Sequence, residues 1–181
     1  MLDFNTAQVQ TNMDPIPHGT LAPLQVTVRP GGGDDEGWLK PSKDGRSQGL
    51  DVEFVVTDGE FTGRKFWTLL TLSGETEGHQ KAARISASRL RAIVESARGV
   101  KPSDTSDLAT KARCIKSYGD LDGLRFIGKI GLDKGSDGYP PKNTLLGAIT
   151  PDQKSWLPVA QVSAATPVKP AVATIAKPAW A

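Results

Sequence analysis

The sequence predicts a mainly β domain with one main helix, in the order three strands, one helix and two strands. Apolar and polar residues alternate over residues 24–28 and 50–56, which is the period of half-buried strands. Residues 79–98 instead place their apolar side chains at helical spacing. The chain has 181 residues, of which 38% are hydrophobic, and this suits one domain with some additional chain.

The first predicted strand is followed by a long loop. Leu24, Val26 and Val28 form the apolar side of the strand, and Pro23 indicates an edge position or a bulge near its start. Residues 31–49 then lack any strand or helix pattern. Loops of this length are usually either functional or partly disordered.

The second and third strands are predicted to form a hairpin. Residues 50–56 alternate between apolar and mostly charged side chains, and Asp58-Gly59 supplies a tight turn. Gly63 offers a second flexible point before the other arm. That arm, residues 66–72, is rich in aromatic and apolar side chains, which favours a central position in a sheet.

Different environments are predicted for two neighbouring aromatic residues of the hairpin. Phe66 is predicted to be core, because it shares a strand face with Leu70 and other apolar residues. Trp67 shares its face with Lys65 and Thr71, so core packing and base stacking are equally open for its ring.

The main helix is predicted over residues 79–98, with Gly99 as its C-cap. Its buried side should consist of Ala82, Ile85, Leu90, Ile93, Val94 and Ala97, and its solvated side should include Lys81, Arg84, Arg91, Glu95 and Arg98. A short helix is predicted at residues 107–111. Two strands follow at residues 124–132 and 145–149, and a loop at residues 133–143 separates them.

The chain divides into three regions by composition. We expect an N-terminal arm at residues 1–17, in which Leu2 and Phe4 are candidate anchors, and a folded domain at residues 18–150. Residues 151–181 consist largely of Ala, Pro, Val and Thr with few charges. This composition predicts a flexible, disordered C-terminal tail.

The charge is unevenly distributed along the chain. The residues up to Gly63 include 4 basic and 10 acidic side chains, whereas the rest include 18 basic and 10 acidic ones. The two parts therefore carry about −6 and +8, although the net charge is only +2. Such asymmetry favours an anionic partner, and a solvated helix surface explains it equally well.

The number of cysteines and the hydropathy of the sequence limit the cellular compartments in which the protein is expected. Cys114 is the single cysteine, which excludes an internal disulfide and disfavours structural zinc, since only His18 and His79 are available as histidine ligands. No apolar run approaches the roughly 20 residues that span a bilayer. We expect a soluble, cytoplasmic protein without membrane contact.

The sequence contains no pattern typical of catalysis. Residues 123–129 match the first seven positions of a phosphate-binding loop, but Ile130 stands where magnesium binding needs a hydroxyl. The acidic residues 34–36 lack the alternating spacing of a calcium site. We therefore predict no enzyme activity, no metal and no cofactor.

Basic residues accompany aromatic residues at three separate places, which is typical of proteins that bind single-stranded nucleic acid. Such proteins neutralise phosphates in a groove and stack unpaired bases on exposed rings. The candidate binding residues are Trp38, Lys40, Lys43, Arg46, Arg64, Lys65, Trp67, Lys129, Lys134, Tyr139 and Lys142. Trp38 and Tyr139 are the preferred stacking rings because loop aromatics have less reason to be buried.

Several segments resemble a family of bacteriophage and prophage proteins, long described as a domain of unknown function, that is associated with single-stranded-DNA-binding proteins of OB-fold type. The similar segments are residues 2–5, 18–20, 50–54, 61–67, 123–130 and 142–143. The resemblance implies an OB-fold-like five-stranded barrel with a helix between strands three and four. It also implies a protein that coats single-stranded DNA, or RNA, during replication or recombination in the host cytoplasm.

Other partners are left open by the sequence. Bacterial single-strand binders commonly end in an acidic tail that recruits replication proteins, whereas here Asp152 is the only acid of the tail. Homo-oligomers and replication or recombination proteins reached through the tail remain further candidate partners. The alternative function is a protein-interaction or assembly module on the same barrel, as in a phage accessory or virion component.

Overall fold

The computed structural model describes residues 5–6, 14–135 and 138–158. In this part of the chain, six strands form one antiparallel sheet, which confirms the mainly β prediction. The strands are β1 (Leu21–Arg29), β2 (Leu39–Pro41), β3 (Ser47–Val56), β4 (Lys65–Gly74), β5 (Arg125–Asp133) and β6 (Lys142–Ala148). The helices are α1 (Glu77–Arg98) and α2 (Asp107–Arg113), and a short 3-10 turn follows at Tyr118–Leu121.

The sheet has the order β4-β3-β1-β5-β6, with the short β2 beside the first residues of β3. Pro23 predicts an edge position or a bulge near the start of the first strand, but β1 is paired on both sides, with β3 and β5, and both ladders keep their register. Pro23 stands opposite Ile127 in the β1–β5 ladder, and its carbonyl accepts the N–H of Thr57. Cα atoms of the edge strands β4 and β6 come within 8 Å of each other. No ladder joins these two strands in the described residues, so the sheet is open at this seam.

The core lies on the inner side of the sheet, where alternate residues of β1 and β3 are buried. Leu50, Val52, Phe54 and Val56 of β3 are all buried, as their alternation predicts. The ring of Phe54 lies 5.3 Å from that of Phe66 and 5.9 Å from that of Phe126, between ring centres. The prediction that Phe66 is core is confirmed.

The main helix ends where the sequence predicts it to end. The Thr76 side chain caps its N-terminus by accepting the N–H of His79, and Gly99 adopts a left-handed conformation with a φ of 67°. The expected side assignment is wrong at two positions: Ile85 is exposed, whereas Glu95 is 3% exposed. Neither described helix has the length and apolar character needed to cross a bilayer.

Two connections differ from their predictions. The loop expected at residues 31–49 contains β2 and the start of β3. The hairpin does not close on a two-residue turn: eight residues, 57–64, connect β3 to β4. Gly59 and Gly63 both have positive φ in this connection, 88° and 81°, which explains why glycine is needed at each.

Packed structure continues beyond residue 150, where the tail was expected to begin. The indole N–H of Trp156 donates to the carbonyl of Ser96 at 3.1 Å, and the ring packs against Ile127 and Ile149. Residues 151–158 therefore belong to the folded unit. The rest of the expected tail, and the candidate anchors Leu2 and Phe4, lie outside the described residues.

Candidate nucleic-acid interface

A groove lies where the first residues of β4 and β6 meet, at one end of the open seam. It has a volume of about 330 Å³, and we call it the seam groove. Its lining residues are Pro15, Arg64, Lys65, Phe66, Trp67, Pro141, Lys142 and Asn143. A second hollow shares Pro141 and Lys142 with it and extends to Tyr139. Five of the predicted binding residues, Arg64, Lys65, Trp67, Lys142 and Tyr139, therefore line two adjoining hollows.

Asn143 and Arg64 fix one wall of the seam groove by holding the chain that precedes β1. The Asn143 side chain accepts the N–H of Ile16 and donates to the carbonyl of the same residue, at 2.9 and 2.8 Å. Arg64 donates to the carbonyl of Asp14. Because Ile16 is itself buried in the core, this wall is attached to the body of the domain.

The rings beside the groove are accessible. Strand alternation turns Phe66 inward and Trp67 outward, and Trp67 is 50% exposed. Tyr139, in the β5–β6 connection, is 77% exposed. Leu69, two residues after Trp67 on the same face of β4, is also exposed. The rings of Trp67 and Tyr139 are therefore free on part of their surface to stack on a planar ligand.

Acidic residues of β3 hold the cations of the sheet's outer face. Glu53 stands opposite Trp67 in the β3–β4 ladder. One of its carboxylate oxygens lies 2.8 Å from the Lys65 ammonium, and the other accepts the Trp67 indole N–H at 2.9 Å. Asp51 similarly lies 3.5 Å from Lys40 and 3.7 Å from Arg29. The positive charge of this face is thus partly neutralised within the protein itself.

The role of Glu53 was not anticipated from the sequence. Its partners Lys65 and Trp67 depend on the hairpin register, and a two-residue turn at Asp58-Gly59 implies a different register from the observed one. Glu53 lies opposite Trp67 because the connection between β3 and β4 has eight residues.

Besides Lys40, which contacts Asp51, four predicted cations lie apart from the seam groove or at its border. Lys129 pairs with Gly147, four residues before the end of β5, and is therefore about 13 Å along the strand from Asp133, the ladder partner of Lys142. Lys134 is exposed in the same connection as Tyr139. Lys43 and Arg46 stand at the opposite end of the β3–β4 hairpin, where the carbonyl of Arg46 accepts the N–H of Glu75.

The expectation of an exposed ring at Trp38 is wrong. The side chain is half-buried and packs against the hydrophobic core. A methyl group added at Gly119 would come within 2.8 Å of its ring, so the indole lies directly on the 3-10 turn. Trp38 anchors the long β1–β3 connection and offers only part of its surface to a ligand.

Three carboxylates outside the groove are held in the charged form by hydrogen bonds. The Ser42 hydroxyl and the Arg46 backbone N–H lower the pKa of Asp44. Backbone N–H groups of Lys116 and Ser117 lower the pKa of Asp120. The backbone N–H and hydroxyl of Ser106 do the same for the pKa of Asp104. Each carboxylate closes a local turn or helix cap, which is a structural role.

The described residues contain no group of three or more His, Cys, Asp or Glu side chains placed to hold a metal ion. In the acidic loop, two of the three carboxylates have partners: Asp34 accepts the N–H of Leu39, and Glu36 accepts the Ser117 hydroxyl. This loop is therefore tied to the rest of the fold by hydrogen bonds.

Comparison with known proteins does not assign a family. No protein-family model matches the sequence, and no curated protein matches it significantly.

Proposed function

We propose that this protein binds single-stranded DNA without catalysing a reaction, and that the seam groove holds the strand. The observation that carries this proposal is the convergence of three basic residues, Arg64, Lys65 and Lys142, with two exposed rings, Trp67 and Tyr139. Single-strand binding requires both a cationic groove and accessible rings.

The strand order supports a barrel of OB type as the scaffold. Apart from the short β2, the five long strands are arranged with the first strand at the centre and the third and fifth at the seam. OB folds bind oligonucleotides on the face of their second and third strands and on the loops after the first and fourth. The candidate residues fall on the corresponding parts, which are β3–β4, the β1–β3 connection and the β5–β6 connection. Fold by itself does not determine function, so the residues of the groove carry the proposal.

Binding would combine electrostatics with stacking. Arg64 and Lys142 face the groove without a carboxylate partner among the described residues, and they would neutralise phosphates first. Bases would stack on Trp67 and Tyr139, at about 1–3 kcal/mol per base. Neither contact reads a base edge, so sequence preference should be weak and affinity should fall steeply with salt. The proposal extends to a role in phage replication or recombination, which is what the resemblance described above implies.

One observation favours a second candidate function, a protein-interaction or assembly module. Leu69 is 58% exposed next to Trp67, so the outer face of β4 presents two large apolar side chains together. Exposed apolar pairs of this kind occur at protein interfaces.

The test is a titration of the full chain with oligo-dT at low and at high salt, in which tryptophan fluorescence reports binding. Lys142→Glu should weaken binding and reduce the salt slope by about 0.7, the value for one phosphate contact of a single strand. Lys154→Glu is the matched control, since Lys154 is exposed on the segment after β6. Absence of binding by the wild-type protein at low salt would refute the proposal. A changed oligomer size in Lys142→Glu, with unchanged DNA binding, would support the interaction module instead.

A further inference from the structure

A second cationic surface runs along the exposed side of α1. Between Gly78 and Val94 the helix has four basic residues and no acidic ones. Three of them, Lys81, Arg84 and Arg91, fall with Ser88 within about a third of the helix circumference, given 3.6 residues per turn. All four of these side chains are exposed, and Arg89 is half-buried about 80° around the helix from Lys81, on the side away from Arg91. We call Lys81, Arg84, Ser88, Arg89 and Arg91 the basic stripe.

The stripe is mostly unpaired, in contrast to the sheet face. Among the described residues, Lys81, Arg84 and Arg89 have no carboxylate within 4.0 Å, and only Arg91 has one, Glu95. Lys81 and Arg84 stand three residues apart on the helix, where like charges repel each other. An external anion would relieve this repulsion, whereas Lys65 must first leave the carboxylate that it already contacts.

The stripe begins at the end of the hairpin that is remote from the seam groove. Helix α1 starts three residues after the last residue of β4, and the strand itself is about 30 Å long. Lys43 and Arg46 lie at this end, because Arg46 accepts the N–H of Glu75 through its carbonyl. These two predicted cations thus adjoin the start of the stripe and not the groove.

The composition of the stripe fits a phosphate backbone better than a protein. Charged residues are depleted at the centres of protein interfaces, which are apolar, and Ile85 is the one large apolar side chain exposed along α1 in the described structure. From Lys81 to Arg91 the stripe is about 15 Å long, which matches several phosphates of a nucleic-acid strand.

We propose that the basic stripe is a second contact surface for the same single-stranded nucleic acid, engaged only when the strand is long enough to continue past the seam groove. This inference rests on the proposed function. One OB fold covers roughly 4–16 nucleotides, so a short oligonucleotide can be confined to the groove. A longer strand would pass along the hairpin, by Lys43 and Arg46, to α1.

The test compares oligo-dT of about 8 and about 30 nucleotides, one within and one beyond the range of a single OB fold. Anisotropy of labelled DNA is measured with full-length wild type and with the triple variant Lys81→Gln, Arg84→Gln, Arg89→Gln. The matched control is Lys111→Gln, Lys116→Gln, Lys154→Gln, which removes the same charge at exposed positions outside the stripe and the seam groove. Glutamine is a good helix former, and thermal unfolding checks that each variant is folded.

We expect the triple variant to bind the short DNA like wild type and to bind the long DNA with a salt slope smaller by about 2, at about 0.7 per lost phosphate contact. The control should bind both lengths like wild type. An unchanged slope on long DNA, an equal loss on short DNA, or an equal loss in the control would each overturn the inference. If the wild-type protein does not bind even the short DNA, the proposed function is overturned as well. This outcome is distinguishable from a failure of the inference about the basic stripe alone.

Discussion

Replacing Glu53 by glutamine should strengthen DNA binding while weakening the fold. In the structure the Glu53 carboxylate contacts Lys65 at 2.8 Å and accepts the Trp67 indole N–H at 2.9 Å. Glutamine has nearly the same shape, and its carbonyl can still accept the indole N–H. The substitution therefore frees Lys65 for a phosphate and leaves Trp67 in place.

The expected magnitude follows from the exposure of the pair. The Lys65 side chain is 52% exposed, so its ion pair has the strength of a surface pair, about 0.2–1 kcal/mol. Release of this energy should tighten binding by about 1.4-fold to 5-fold at low salt, since 1.4 kcal/mol corresponds to a factor of ten. One additional phosphate contact should steepen the salt slope by about 0.7. The free energy of unfolding should fall by the same 0.2–1 kcal/mol, because the ion pair is lost in the folded state.

The assay is a double-mutant cycle with Glu53→Gln, Lys65→Gln and the double variant, measured by anisotropy with oligo-dT and by urea unfolding. The gain in affinity should disappear in the double variant, because the freed cation is then absent. Weaker binding by Glu53→Gln would refute the reasoning. So would a gain that persists without Lys65, since the effect could then not depend on release of that ammonium.

Three further predictions concern stability. Phe54→Ala should lower the free energy of unfolding by about 3–5 kcal/mol in urea, because the ring is fully buried between two others; a loss below about 1 kcal/mol would contradict the packing described. Glu95→Ala should lower the free energy of unfolding by about 1–3 kcal/mol, since it leaves Arg113, whose side chain is 17% exposed, without its carboxylate partner, whereas Glu60→Ala, on an exposed connection, should change stability by less than about 0.5 kcal/mol. Asp120→Asn should lower the melting temperature at pH 7. Its carboxyl has a lowered pKa in the folded state, so its contribution is complete above 3.8 and is lost as the pH falls through the folded pKa. The difference in melting temperature between Asp120→Asn and wild type should become smaller when melting is measured below the folded pKa of Asp120. A difference that stays constant with pH would contradict this prediction.

The strands and the main helix could be predicted because their signals are local. Alternation places β1 and β3, the aromatic and apolar composition of residues 66–72 places β4, and the glycine at position 99 marks the end of α1. The short β2 has only three residues, one of them Pro41, and such a segment carries no recognisable period. The burial of Glu95 was missed because its partner Arg113 comes from α2, which is 18 residues later in the chain.

The site was predictable as a set of residue types but not as a geometry. Arg64, Lys65 and Trp67 are neighbours in sequence, so their joint position follows directly from the strand. Their meeting with Lys142 depends on the approach of β4 and β6 at the seam, which no local pattern specifies. Trp38 was assigned to the wrong environment for the same reason, because Gly119, the residue under its ring, is 81 positions away.

The position of Trp156 determines where this chain can be shortened. Composition suggests a cut after residue 150, where the Ala- and Pro-rich sequence begins. Such a cut would remove the indole that covers Ile127 and Ile149, and the uncovered pair would favour aggregation of the fragment. A minimal soluble fragment for crystallisation or NMR should therefore retain the chain through Pro158.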